Sequence, residues 1–292
     1  MTPSKGRLKM KKIIKLLVVP LILIITGCVK NQSMEDITIY TTNYPIEYIT
    51  KRLYGDHSNI KSIYPNGVNI NEYKLSDTLI QQYDDNDLYI FNSLSNEKEY
   101  VKAMLNYNKD LKIIDVTSDI TYEYAVEELW LDPSNLLSLA NNIKKGFNEY
   151  IKDNPVLIKE IEEKYNNLKY ELTNLESDYR EELNNYNNKT IVVSDDMFLF
   201  LNNYGLKVIS LDKDNEAYED NLIEFRKLIN TGYVKYIFVP DIGTLDDDIN
   251  NYTIQKIQLH TISNLTDEQR ENYDYISLMN ENLEVLKKQL AA

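Results

Sequence analysis

The sequence predicts an α/β protein of two lobes, each a four-stranded mostly parallel sheet with helices, joined by one long backbone helix. Short apolar runs rich in β-branched residues alternate with helix-like segments, which is typical of a parallel sheet. The runs form two groups of four, and a long helical pattern separates the groups. The candidate strands are 37–42, 59–64, 88–92, 112–116, 190–194, 207–211, 236–239 and 253–259.

The long helical pattern is predicted to be a linking helix over 153–187. Asp153-Asn154-Pro155 supplies a cap and a proline for the first turn. About 30 residues at 1.5 Å each extend roughly 45 Å, which is enough to span two lobes. A coiled-coil dimerisation helix remains open, since the spacing also permits it. The positions in the stripe are Ile158, Ile161, Tyr165, Leu168, Leu172, Leu175, Tyr179, Leu183 and Tyr186.

Composition excludes several classes of protein. The 292 residues are 43% hydrophobic with 8 Gly and 7 Pro, which indicates a globular chain. A formal charge of −14 argues against a nucleic-acid partner. The single cysteine excludes an intrachain disulfide, and two histidines exclude a site built on several imidazoles. No phosphate-binding glycine loop or nucleophile elbow is present, so we expect no enzymatic activity.

The first 27 residues are predicted to be an export signal. A basic start precedes an apolar run over 13–25, which is shorter than the roughly 20 residues of a membrane-spanning helix. The following Ile25-Thr26-Gly27-Cys28 resembles a bacterial lipobox. We therefore expect cleavage after residue 27, a lipid on Cys28, a polar tether over 28–36 and a body on the extracytoplasmic face of the cell membrane. An uncleaved signal anchor is the alternative.

Cleavage there would make the protein more acidic. Residues 1–27 carry six positive charges and no negative ones, so the formal charge would change from −14 to −20. The body would then consist of an N-terminal lobe over 37–152, the linking helix and a C-terminal lobe over 188–292.

Five motifs, in this order and at these separations, carry a family resemblance. Together they resemble the metal-binding solute receptors of ABC importers, the zinc and manganese lipoprotein receptors. The resemblance implies a monomer that binds a metal ion between its lobes and delivers it to an ABC permease driven by an ATPase. The motifs are Thr41-Thr42-Asn43-Tyr44-Pro45, Pro65-Asn66-Gly67, Trp130-Leu131-Asp132-Pro133, Ser194-Asp195-Asp196-Met197-Phe198 and Tyr275-Ile276-Ser277-Leu278.

The family's metal ligands, three histidines and one carboxylate, are all replaced in this sequence. Motif alignment places Asn71, Glu128 and Asp195 at the histidine positions and His260 at the carboxylate position. Three of these four side chains can ligate a metal, and Asn71 offers a carbonyl oxygen. An oxygen-rich set suits Mn²⁺ or Fe²⁺, although zinc also accepts carboxylates.

Two further interpretations remain open. The lineage could have lost metal binding, with Glu128 and Asp195 making ordinary hydrogen bonds or pairing with Lys or Arg. The protein would then be an adhesion or scaffold lipoprotein that kept the fold. A non-metal cationic solute would also satisfy two carboxylates in a cleft.

Overall fold

Two four-stranded sheets organise the chain in a computed structural model that describes residues 34–83, 86–242 and 247–291. From Glu35 onward the chain forms one compact unit that contains both sheets. The strands are β1 Ile37–Thr41, β2 Ser58–Ser62, β3 Leu88–Phe91, β4 Lys112–Asp115, β5 Thr190–Val193, β6 Lys207–Ser210, β7 Tyr236–Pro240 and β8 Gln255–Leu259.

The two sheets share one topology. Their strand orders are β2-β1-β3-β4 and β6-β5-β7-β8. Every strand pairing in these orders is parallel. Because the carboxyl ends of parallel strands meet at one edge, the loops that follow the strands of each sheet converge there. The predicted fold class is confirmed, and all eight predicted strands are present.

Helices connect the strands, as parallel pairing requires. Phe91 of β3 packs with Met104 in the first lobe, and Ile237 of β7 packs with Phe225 in the second. The α-helices are α1 Tyr44–Tyr54, α2 Asp77–Gln82, α3 Glu97–Tyr107, α4 Glu128–Leu131, α5 Pro133–Tyr150, α6 Pro155–Asn184, α7 Tyr218–Asn230, α8 Asp247–Asn250, α9 Asp267–Asn272 and α10 Tyr275–Leu290. Two 3₁₀ segments cover Gly55–His57 and Asp196–Tyr204.

Helix α6 is the predicted linking helix. Its cap is Asn154, whose Oδ1 accepts the Leu157 N–H at 3.1 Å, and Pro155 occupies the first turn. The helix packs against α1 and α5, which precede it in the chain, and against α10 near the C-terminus. Its apolar face is therefore covered by the chain's own helices, which argues against a coiled-coil seam.

The buried face of α6 begins one residue earlier than the sequence pattern indicated. Leu157 is buried, whereas Ile158 and Tyr165 are half-buried and Tyr186 lies beyond the helix end. Leu157 and Ile158 both lie within one turn of Ile161, so the spacing alone does not distinguish them, and the structure buries Leu157. The buried residues are Leu157, Ile161, Leu168, Leu172, Leu175, Tyr179 and Leu183.

The predicted signal over 1–27 and Cys28 lie outside the described residues, as does most of the tether over 28–36. Among the helices that the structure describes, none is both long and apolar enough to cross a membrane.

Candidate functional site

A cavity of about 200 Å³ lies where the carboxyl ends of the two sheets face each other. The walls come from both halves of the molecule, the first half being residues 37–152 with the first sheet and the second being residues 188–291 with the second sheet. Most of the lining side chains present oxygen atoms. The first half contributes Asn69, Asn71, Glu72 and Glu127, and the second contributes Asp195, Met197, Pro240, Ile242, Thr261 and Ser263. Of the four predicted ligands, Asn71 and Asp195 line this cavity.

Asn71 is held against an acidic side chain that the sequence analysis did not select. Its Nδ2 donates to Glu127 Oε1 at 3.3 Å, and its backbone N–H donates to Asn69 Oδ1 at 3.1 Å. Because Nδ2 faces the carboxylate, Oδ1 of Asn71 is the atom that remains for another partner. Asn71 and Glu127 together place two oxygen donors on the wall of the first half.

Asp195 provides the acidic group of the opposite wall. It follows β5 and caps the 3₁₀ segment, with Oδ1 accepting the Met197 N–H at 2.9 Å. Burial raises the pKa of Asp195 to about 6, and the negative charges of Asp212, Glu127 and Asp196 add to that effect. The Met197 hydrogen bond offsets part of it. A cation in the cavity would relieve this unfavourable environment.

Glu128 does not line the cavity. Its Oε2 accepts the backbone N–H groups of Glu123 and Tyr124, each at 3.1 Å, and its Oε1 accepts Asn135 Nδ2 at 3.3 Å. Successive residues of a helix point about 100° apart, so Glu127 faces the cavity while Glu128 faces the preceding loop. The sequence places two glutamates side by side at this position, and motif alignment selected Glu128 although Glu127 lines the cavity.

His260 also lies outside the cavity wall. Its Nδ1 is 2.8 Å from Asp241 Oδ2, and its Nε2 is 3.1 Å from Glu281 Oε2. The hydrogen bond to Asp241, and then the one to Glu281, raise the pKa of the imidazole above its ordinary value against the effect of burial. Since both ring nitrogens face carboxylates, neither nitrogen is available to a ligand in the cavity.

The residues after His260 turn toward the cavity instead. Thr261 and Ser263 line it, and Ile262 between them is 1% exposed with φ of 56°. A β-branched residue in the left-handed region is strained, and such strain persists only where neighbouring contacts enforce it. Here the Thr261 N–H and Oγ1 both donate to Asp241 Oδ1, at 3.0 and 3.1 Å.

Hydrogen bonds tie this segment to the first half of the molecule. Trp130 Nε1 donates to the Thr261 carbonyl at 2.9 Å, and the Tyr44 N–H donates to the Ser263 carbonyl at 3.0 Å. Tyr275 Oη in turn donates to the Trp130 carbonyl at 2.7 Å. The cavity therefore lies beside a fixed junction between the two halves.

A buried ion pair reinforces this junction. Arg270 Nη1 lies 3.0 and 2.8 Å from the two carboxylate oxygens of Glu47, whose side chain is 4% exposed. Lys51 Nζ donates to Glu47 Oε1 at 2.6 Å from a more exposed position. The Arg270 guanidinium also lies over the ring of Tyr44, 5.2 Å from its centroid.

A close backbone approach of the two halves involves Gly67. Its N–H donates to the Leu265 carbonyl at 3.0 Å, and a Cβ on this residue would lie 3.1 Å from Thr266 Cγ2. Its φ of 75° lies in the region that favours glycine. Asn264 Nδ2 completes the contact by donating to the carbonyls of Pro65 and Val68, at 2.8 and 3.0 Å.

The cavity thus combines three carboxylates, two carboxamides and two hydroxyls, which belong to Glu72, Glu127 and Asp195, to Asn69 and Asn71, and to Thr261 and Ser263. Among the described residues, the side chains that line it include no lysine or arginine. The same part of the chain contains no cluster of three or more His, Cys, Asp or Glu arranged to hold a metal ion. Any cation bound here would therefore depend on carboxamide and hydroxyl oxygens as well as on Glu127 and Asp195.

The family model described as ZnuA, zinc-uptake complex component A periplasmic, matches residues 39–289. The chain belongs to the ZnuA family. This confirms the resemblance seen in the sequence. The ZnuA family consists of metal-transport solute-binding proteins and not enzymes, so the prediction of no enzymatic activity is also confirmed.

Solved structures share the ZnuA fold with this chain. Zn(II)-bound AdcA from Streptococcus pneumoniae aligns with a TM-score of 0.72 at 23% identity, over 88% of this chain and 58% of AdcA. The metal-dependent lipoprotein YcdH from Bacillus subtilis aligns with a TM-score of 0.72 at 21% identity, over 88% of this chain and 100% of YcdH.

A mutant of the laminin-binding adhesin Lmb from Streptococcus agalactiae aligns with a TM-score of 0.71 at 20% identity, over 87% of this chain and 99% of Lmb. At these identities the likeness shows the fold alone. No curated protein sequence matches this chain significantly.

Proposed function

We propose that this ZnuA-family chain is an extracytoplasmic solute receptor that binds a divalent metal ion in the cavity between its two sheets. One observation supports the proposal above the others. Glu127 and Asp195 come from opposite halves of the molecule and line one cavity, in which the described residues place no lysine or arginine. Two carboxylates in such a position favour a cation between them.

The donor atoms indicate which metals suit the site. Asn71, Glu127, Asp195, Thr261 and Ser263 offer oxygen, whereas the imidazole of His260 is turned to Asp241 and Glu281. Oxygen donors suit Mn²⁺ or Fe²⁺, and zinc accepts carboxylates although it favours nitrogen and sulfur. The family description favours zinc. We therefore propose Mn²⁺, Zn²⁺ and Fe²⁺ as the cargo to test.

Delivery and anchoring complete the proposal. The receptor hands its metal ion to an ABC permease, and a partner ATPase supplies the energy. Cys28 carries the lipid after removal of residues 1–27, the tether over 28–36 follows, and the monomeric body stays at the outer face of the cell membrane. The lobes over 37–152 and 188–292, joined over 153–187, form the body.

Calorimetry of the chelator-stripped full-length chain in detergent tests metal binding. The chain is titrated with Mn²⁺, with Zn²⁺ and, in the absence of oxygen, with Fe²⁺. At least one metal is expected to bind. Asp195→Asn and Glu127→Gln should each weaken that affinity by more than about tenfold, which corresponds to roughly 1.4 kcal/mol.

The adjacent glutamate provides a matched control. Glu128→Gln removes the same charge one residue away from a side chain that bonds to the Glu123 and Tyr124 backbone. Its metal affinity should stay within about twofold of the unsubstituted chain. If Glu128→Gln abolishes binding while Glu127→Gln does not, Glu128 is the ligand and the assignment to Glu127 is wrong.

The adhesion or scaffold interpretation is the second candidate. It is favoured by the internal hydrogen bonds of Glu128 and His260, which occupy two of the four ligand positions of the family motif. It would replace the receptor proposal if none of the three metals binds. Retention of the chain on immobilised laminin, which the receptor proposal does not expect, would then support it.

A further inference from the structure

A second and larger cavity, of about 480 Å³, lies at the carboxyl edge of the first sheet. Asn43 follows β1, Asn92 follows β3, Glu97 begins α3, and all three side chains line the cavity. Asn71 lines this cavity and the one between the sheets, so the two adjoin. The volume is within the range of small-molecule sites, roughly 300–1,000 Å³, and far exceeds that of a bare metal ion.

A buried carboxylate forms part of the wall of this cavity. Glu97 is 4% exposed, and its Oε2 accepts the Asn92 N–H at 3.2 Å. Thr42 Oγ1 lies near the carboxylate without reaching hydrogen-bonding geometry. Within the described part of the chain, no ion pair includes Glu97. A buried carboxylate without a cation is unfavourable, so the cavity offers a strong acceptor to a positively charged group.

The same cavity also offers hydrogen-bond donors. Asn43 Oδ1 accepts the Ile46 N–H and Asn92 Oδ1 accepts the Leu94 N–H, at 3.2 and 2.9 Å. Because the oxygen of each amide is engaged by the backbone, its NH₂ group is the part that remains for another partner. Lys98 lines the cavity from an exposed position and adds a positive charge.

Aromatic side chains make up much of the remaining wall. Tyr64, Tyr122, Tyr124 and Trp130 all line the cavity. Aromatic faces attract ammonium groups and pack against apolar groups, whereas they contribute little to binding a hydrated metal ion. A carboxylate acceptor, several hydrogen-bond donors and aromatic walls suit an organic molecule that carries one positive and one negative group.

We propose that this cavity binds a small zwitterion of the amino-acid class. Its ammonium group contacts Glu97, and its carboxylate is held by the free NH₂ groups of Asn43 and Asn92 and by Lys98. This is a second ligand site, separate from the proposed metal site except at Asn71, where the two ligands would be neighbours.

A thermal-shift screen followed by calorimetry tests the proposal. The full-length chain in detergent is screened singly against the twenty proteinogenic L-amino acids at millimolar concentration. At least one should raise the melting temperature and bind in calorimetry, and its N-acetyl derivative should not. The proposal is overturned if no amino acid binds, or if the N-acetyl derivative of the ligand binds equally well.

Two variants separate this site from the metal site. Glu97→Gln keeps the acceptor for the Asn92 N–H and should weaken amino-acid binding by more than tenfold, while the heat of metal binding stays unchanged. Glu99→Gln, at an exposed position paired with Lys102, is the matched control. It should change neither amino-acid binding nor metal binding. Unchanged amino-acid binding in Glu97→Gln would exclude the site, whatever the outcome with metals.

The pH profile of the unsubstituted chain gives a readout that does not depend on a variant folding. Burial raises the pKa of Glu97 to about 7, so its charged form, which attracts ammonium, increases with pH. Affinity should rise about tenfold from pH 6 to pH 8. Tyr64 and Tyr89 face Glu97 with pKa values raised further above neutrality, so neither hydroxyl titrates in this range. An affinity that stays flat or falls over this range would contradict the assignment.

Discussion

Carboxylates are buried at the junction of the two halves in two different ways. Glu47 is matched by Arg270, which lies 2.8 Å from one oxygen, and by Lys51 at 2.6 Å from the other. Glu127 and Asp195 line the cavity between the sheets, and the described side chains there provide no cation for them. The first arrangement balances the buried charge within the protein, whereas the second leaves two carboxylates for which the described lining side chains supply no cation.

The difference separates a contact that holds the two halves together from the proposed metal site. A buried ion pair lowers stability sharply when one partner is removed, because the other charge is left in a poor solvent. An unmatched carboxylate has the opposite property, since its removal relieves the free protein. Substitutions in the two regions should therefore change stability in opposite directions.

The largest expected effect is that of Arg270→Met. It leaves Glu47, with a side chain 4% exposed, paired only with Lys51, which is 52% exposed. The free energy of unfolding should fall by about 3–5 kcal/mol in urea denaturation. Lys102→Met, which breaks the exposed pair with Glu99, is the control and should cost below about 1 kcal/mol. Equal losses of unfolding free energy in the two variants would show that the buried pair contributes no more to stability than an exposed one.

Glu97→Gln should have the next largest effect, and it should stabilise the protein at alkaline pH. The pKa of Glu97 is raised by burial from 4.5 to about 7, so its contribution to stability is full below pH 4.5 and is lost as pH rises through 7. The free energy of unfolding of the variant should therefore be higher by about 3–4 kcal/mol at pH 8 and nearly unchanged at pH 4.5. Stabilisation of the same size at both pH values would show that burial of the charge is not its cause.

Asp195→Asn should act in the same direction but more weakly. Burial raises the pKa of Asp195 from 3.8 to about 6, so the stability that it contributes below pH 3.8 is lost as pH rises through 6. For the chelator-stripped chain at pH 8, urea denaturation should show a free energy of unfolding about 3 kcal/mol higher in the variant. Saturating metal should reverse the order, because only the unsubstituted chain binds it well. A variant that is less stable without metal would contradict the interpretation of an unmatched carboxylate.

The smallest effect is expected for Lys159→Ala. Lys159 and Glu163 form a 3.4 Å pair whose side chains are 80% and 66% exposed. Water screens such a pair, so thermal or urea denaturation should detect a change below about 0.5 kcal/mol. A loss of several kcal/mol would mean that burial does not decide the value of an ion pair in this protein.

The fold could be predicted from the sequence because it depends on periodicity. Most of the strands contain a short apolar run, and the alternation with helices favours parallel pairing. The face of α6 was more difficult, because Leu157 and Ile158 are both apolar and only their burial in the structure distinguishes them. The other six buried positions, from Ile161 to Leu183, belong to the predicted stripe, so the pattern identified the buried face of the helix.

The candidate site could be predicted only in part, for a related physical reason. Motif spacing identifies the loops at the cavity, and Asn71 and Asp195 lie there. It does not determine which of two adjacent side chains turns inward, as Glu127 and Thr261 do in place of Glu128 and His260. The environment of Glu97 was not foreseen, because burial of a single charged residue leaves no periodic signal.

The two halves approach each other closely at Gly67, where only the absence of a side chain leaves room for Thr266. A methyl group on this residue would press on Thr266, and its left-handed backbone would resist any L side chain. We expect Gly67→Ala to push the two halves apart at Thr266 without altering any proposed ligand. Its signature would be faster metal release in stopped-flow measurements with an unchanged number of bound ions, so residence time would be set by a residue that never contacts the cargo.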